Sequence, residues 1–144
     1  MLFRSRFERH VEPALEVTLA HRAAAACDVD QDGDLDIALT SNNGPFRLLE
    51  NVRPGGHWLL VRLRGRGRNT HAIGAEVTVR AGALVQRRSL RAGTSYLAGN
   101  PSELHFGLGD AERVEVVEVR WPDGSESLHE VEGVDRVLVL AQDE

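Results

Sequence analysis

The chain has 144 residues and a formal net charge of −5, with apolar and charged fractions ordinary for a soluble globular protein. A single cysteine, Cys27, excludes an internal disulfide framework and a cysteine-rich zinc site. No apolar run approaches the roughly 18 residues of a membrane span. All 17 basic residues are arginine, which excludes Schiff-base and phosphate-loop lysines.

At the N-terminus, Phe3, Phe7, Val11 and Leu15 fit one helical face, while residues 15–19 alternate like a strand. Charges interrupt this stretch, so it lacks the apolar core of about 7–15 residues that export requires. The chain as written is therefore expected to be cytoplasmic or a piece of a longer protein. Residues 23–27 and 36–40 are short and apolar and read as two strands around a loop. Ser41-Asn42-Asn43-Gly44-Pro45 is a turn signal, and 46–52 is a third short strand. Arg53-Pro54-Gly55-Gly56 marks the expected boundary between an N-terminal unit, 1–52, and a second unit, 53–144.

Everything after Gly56 reads as β structure. In 58–64, Leu59, Val61 and Leu63 alternate with Leu60, Arg62 and Arg64; 75–80 alternates in the same way. Strands are expected at 84–91, 104–108, 114–121, 125–131 and 136–141. Pro122-Asp123-Gly124 predicts a tight hairpin turn, since Pro fixes φ at the first corner and Gly accepts positive φ. Gly107 and Gly109 inside an apolar run predict a bulge or strand end. Seven short strands with closely spaced turns predict an all-β fold, an antiparallel sandwich or small barrel.

Charge is segregated. Residues 53–91 hold nine Arg against Glu76, a net +8, and residues 110–144 hold three Arg against eleven acids, a net −8. The two stretches are expected to neutralise each other across one fold. Arginine-mediated polyanion binding is the alternative. Nucleic acid is not expected, because the arginines alternate with apolar residues as on the wet face of a sheet.

The most informative stretch is Asp28-Val29-Asp30-Gln31-Asp32-Gly33-Asp34-Leu35-Asp36, with five carboxylates in nine residues and no arginine inside. Crowded carboxylates repel one another unless a cation sits among them. Ca²⁺ accepts about six to eight oxygens. The spacing lets a curled loop turn Asp28, Asp30 and Asp32 inward, with Gly33 at the sharp bend. Asp34 offers its backbone carbonyl and Asp36 closes the shell, while Val29 and Leu35 remain to anchor the loop in a core. An EF-hand needs a bidentate Glu at its twelfth position, where this chain has Leu39, and it needs flanking helices. The haloacid-dehalogenase phosphatase motif Asp-x-Asp-Gly occurs at 30–33, but that fold and a metal-dependent glycosyltransferase both need far more chain. A solvated acidic turn without an ion is the remaining alternative.

The loop with its flanks, residues 21–43, resembles the calcium blade of FG-GAP repeats from integrin-type β-propellers. The resemblance implies Asp28, Asp30, Asp32, Asp34 (through its backbone) and Asp36 as Ca²⁺ ligands. Cys27 falls where such blades carry a small residue and reads as a buried side chain rather than a nucleophile. From His57 onward the chain resembles the ASPIC/UnbV domain, on His57-Trp58-Leu59, Ala72-Ile73-Gly74-Ala75, Arg91-Ala92-Gly93 with Tyr96-Leu97, Leu104-His105-Phe106-Gly107-Leu108-Gly109, and Trp121-Pro122-Asp123-Gly124. That domain follows propellers in cartilage acidic protein relatives, bacterial ones included. It implies a secreted or cell-surface calcium-binding adhesion or interaction protein, with a protein or carbohydrate partner. The expected fold is thus an antiparallel β-sandwich preceded by one blade-like segment. One blade cannot bury both faces, so it packs on the sandwich, pairs in a homodimer, or belongs to a longer propeller.

Enzymatic function is not expected. None of the six His forms a zinc-type pair. Ser95, His105 and Asp110 name a conceivable triad, but no Gly-x-Ser-x-Gly surrounds Ser95. Trp58, Tyr96 and Trp121 read either as core or as an aromatic binding platform. The enediyne-cluster association of the UnbV name gives a further alternative, a small-molecule-binding or catalytic accessory protein of secondary metabolism.

Overall fold

The structure, a computed structural model, describes residues 13, 19–52, 55–94 and 96–143. Most of the N-terminal stretch that reads as helix or strand, the Arg53-Pro54 step and Ser95 lie outside the described residues. Among the described residues there are ten strands and no helix. They are β1 (His21–Cys27), β2 (Asp36–Ser41), β3 (Arg47–Leu49), β4 (His57–Arg64), β5 (Glu76–Ala81), β6 (Leu84–Ser89), β7 (Glu103–Gly109), β8 (Val116–Arg120), β9 (Glu126–His129) and β10 (Arg136–Ala141).

Three sheets result. The first is the antiparallel meander β1-β2-β3, the second has the order β10-β4-β7, and the third β6-β5-β8-β9. The second and third pack face to face as a sandwich. Alternation decides which residues meet inside: Leu59, Val61 and Leu63 of β4 with Leu104, Phe106 and Leu108 of β7 face Val77, Val79, Val117 and Val119 of β5 and β8. Within the third sheet Val77 stands opposite Val119 and Val79 opposite Val117, so β-branched pairs line the core face. On the outer faces Arg62, Arg64, Arg80 and Arg87 are exposed, as the arginine spacing predicts, whereas Leu60 on the same face of β4 is buried.

Turn chemistry fixes the connections. Gly82 at φ +59 opens the two-residue β5–β6 hairpin, where Ala81 pairs with Leu84. Gly124 at φ +89 ends the Pro122-Asp123 turn, with its N–H donating to the Trp121 carbonyl at 2.9 Å. The expected irregularity at 107–109 is present: His57 pairs with Gly109 and Trp58 with Gly107, which leaves Leu108 as the extra residue. One pairing departs from the antiparallel expectation, because β10 runs parallel to β4 with Arg136 opposite Leu59. Apolar periodicity is the same for either strand direction, so it could not reveal this.

Two arginine–carboxylate contacts among the described residues join the arginine-rich and acidic stretches, Arg80 to Glu118 at 2.9 Å and Arg120 to Glu76 at 3.6 Å. Arg87 binds Glu76 within its own stretch and Arg62 binds Glu103 at 2.8 Å. The Arg87 hydrogen bond holds the Glu76 carboxyl below the usual carboxylate range, with Ser89 and Arg120 adding to the effect. Ser125 does the same for Asp123.

Phe106 is fully buried, so Phe106→Ala should cost about 3–5 kcal/mol in urea unfolding, whereas Leu128→Ala on the exposed outer face should stay within about 0.5 kcal/mol. The depressed Glu76 carboxyl gives stability that is present above the ordinary carboxylate range and lost as pH falls through it. Melting curves between about pH 5 and 3 at low salt should therefore fall less steeply for Glu76→Gln than for the parent, and the difference should shrink at high salt. Equal slopes would count against the ion network.

Candidate metal centre

The acidic stretch is the eight-residue connection, 28–35, between β1 and β2, and it closes on the Cys27–Asp36 pair. Two residues with positive φ, Gln31 at +65° and Gly33 at +97°, curl it. Its carboxylates also fold it. The Asp30 carboxylate accepts from the Asp32 N–H at 3.3 Å and the Asp32 carboxylate from the Asp34 N–H at 2.9 Å, two successive Asx turns. Asp28 Oδ2 accepts from the Gly33 N–H at 3.0 Å across the loop.

Asp36 is the anchor. It is only 2% exposed, and a buried carboxylate must be hydrogen-bonded. Its Oδ2 accepts from the Val29 N–H and its Oδ1 from the Asn51 N–H, each at 2.9 Å. The result draws Asp28, Asp30 and Asp36 together, so that one oxygen from each lies within 4.8 Å of the others. Asp28 Oδ1 is buried there without a hydrogen-bond partner among the described residues. An orphaned buried acceptor is costly, about 1–3 kcal/mol, and its position beside two more carboxylate oxygens is a hard-oxygen donor set suited to a cation.

Asp32 and Asp34 are not in that group. Asp32 is exposed and accepts the Asp34 N–H through Oδ1 alone. The Asp34 carboxylate lies against Gly55, where a Cβ would approach its Oδ1 to 2.4 Å. Val29 and Leu35 do not anchor the loop in a core; they are 49% and 40% exposed. Gly33 anchors it instead. The Trp58 indole covers Gly33 so closely that a Cβ there would stand 2.0 Å from Nε1. The ring of His105 stacks on Trp58 with centroids 6.4 Å apart, and its Nε2 meets the Gly33 carbonyl at 2.6 Å. Reading along the chain missed this platform, because its partners are some 72 residues apart.

Cys27 is partly buried beside these acids. Burial pushes its thiol above the ordinary value, and Asp36, Glu103 and Asp28 add to the rise, which opposes thiolate chemistry. Of the conceivable triad, His105 is engaged with Gly33 and Trp58, and Ser95 lies outside the described residues. The three aromatic residues serve different ends. Trp121 is in the core with its Nε1–H donating to Ser127 Oγ at 2.9 Å, Trp58 covers the loop, and Tyr96 is 69% exposed. Beside the loop, His57 Nδ1 and the Asp135 carboxylate pair at 2.7 Å, which holds that carboxyl below its usual range.

Gly33→Ala should lower stability in urea by about 2 kcal/mol more than Gly67→Ala. Both glycines have positive φ, but nothing lies within 4 Å of a Cβ at Gly67. Similar losses for the two variants would show that Trp58 does not pin the loop.

Residues 65–144, which are 80 of the 144, match the family described as ASPIC and UnbV. No match to a curated protein was found.

Proposed function

Because the chain belongs to the ASPIC and UnbV family, we propose that it is a non-catalytic calcium-binding β protein that serves as an interaction module. The observation that carries this reading is the buried, unpartnered Asp28 Oδ1 beside the Asp30 and Asp36 oxygens. Asp28, Asp30 and Asp36 would hold the ion through their carboxylates. Asp32 and the Asp34 carbonyl would complete the shell, as an FG-GAP-type calcium loop requires. A bound Ca²⁺ supplies charge neutralisation and cross-linking of the bend, with no chemistry of its own.

The setting follows from the same reading. The β1-β2-β3 sheet acts as one blade, and the apolar side chains it leaves exposed, Ile37 and Leu48 with nearby Phe46, support packing against further blades or a second copy. A protein or carbohydrate partner is the proposed target. Millimolar calcium belongs to extracellular space, so the protein is proposed to act secreted or at a cell surface.

Calorimetry with CaCl₂ tests the reading. Heat should be released or absorbed with a Kd on the order of 10⁻⁴–10⁻³ M, the melting temperature should rise with Ca²⁺, and Asp28→Asn should remove both effects. No heat and no rise in melting temperature at millimolar Ca²⁺ would remove the ion from the account.

A further inference from the structure

A groove of about 440 Å³ is lined by Ala26, Cys27 and Leu35 of the first sheet and its loop, by the 87–91 stretch, and by Leu60, Leu104 and His105 of the second sheet. Its chemistry is uneven. Leu60, Leu90 and Leu104 are buried and give it an apolar base, while Arg88 and Arg91 line one wall. Arg88 is fixed rather than neutralised: its guanidinium lies 5.5 Å from the Phe106 centroid, and its Nη2 reaches Gln86 Oε1 at 3.4 Å. Arg91 is exposed and has no carboxylate partner among the described residues. Arg87 differs, since Glu76 holds it. The acid that lines the groove, Glu103, is bound by Arg62 at 2.8 Å. At one end, Asn100 accepts the Ala26 N–H through Oδ1 at 3.1 Å, which leaves its amide N–H groups as donors.

Two guanidiniums with no carboxylate partner among the described residues, over an apolar base, form an amphipathic site. We infer that the groove binds a small organic anion, a compact apolar body carrying one carboxylate or phosphate group, with Arg88 and Arg91 on the oxyanion. Guanidinium forks suit such groups because they donate two parallel hydrogen bonds. The volume lies in the range of small-molecule sites, about 300–1,000 Å³. An extended polyanion fits worse: Leu35 on the opposite wall belongs to the aspartate loop, whose charges repel a continuing chain of anions. This inference stands independently of the calcium reading.

The test is a titration of the amide NMR spectrum with benzoate, phenyl phosphate and neutral benzamide, with heparin as a polymeric anion. The expected result is a millimolar or tighter Kd for benzoate or phenyl phosphate, with shifts centred on Leu60, Asn100 and Leu104 and none from benzamide. The tighter of the two names the group as carboxylate or phosphate ester. Arg91→Gln should weaken binding about tenfold, and Arg88→Gln should do the same if its spectrum shows an intact fold. Three results would overturn the inference: no shifts in the groove from either small anion, an unchanged Kd in Arg91→Gln, or binding of heparin alone.

Discussion

A buried carboxylate must find donors, and Asp36 finds them in two backbone N–H groups from different parts of the chain. Much else in the N-terminal part depends on that constraint. The bond to Val29 pulls the start of the acidic loop back over its end, and the bond to Asn51 ties the loop to the segment that leads into β4. Once the loop is closed in this way, Asp28 and Asp30 stand beside Asp36, and their mutual repulsion has to be offset. Some of it is offset by loop N–H groups, which Asp28 Oδ2 and Asp30 accept. The buried Asp28 Oδ1 is what those bonds leave over.

The loop does not float on its own hairpin. Trp58 and His105 stand on the outer face of the second sheet and grip Gly33 from below, one by contact and the other by a hydrogen bond. Only a residue without a side chain fits there, so the glycine serves both its positive φ and the close approach of the indole. The acidic bend and the sandwich are joined at this point through Trp58 and His105. Gly56 makes a comparable approach, since a Cβ there would stand 2.7 Å from the Gly109 backbone.

Strands β5, β7 and β8 were legible because they are half-buried and alternate, β1 and β2 because they are short apolar runs around a loop, and Asn43 and Gly124 mark turns that need positive φ. Each of the ten strands expected from the pattern has a counterpart, with ends displaced by up to a few residues. Strand direction was not legible, hence the parallel β10–β4 pair. The family match begins at residue 65, just past β4, although Leu59, Val61 and Leu63 of that strand sit in the core between β7, β5 and β8. In the acidic loop, spacing identified the carboxylates that could converge but not how each is used. Asp32 and Asp34 alternate in phase with Asp28 and Asp30, yet the Asp32 carboxylate stands outside the converging three and that of Asp34, from which only the backbone carbonyl is expected, rests against Gly55. Val29 and Leu35 were read as anchors because they are apolar; the anchor is a glycine, chosen by long-range contact that no local pattern encodes.

The central claim is that a divalent cation completes the bend formed by Asp28, Asp30 and Asp36. The most direct measurement is an anomalous difference map from crystals grown with calcium. The account predicts one strong peak among those three carboxylates, with oxygens at about 2.3–2.6 Å and Asp28 Oδ1 among them. Featureless anomalous density, with a water or an arginine head group at that centre, would contradict it.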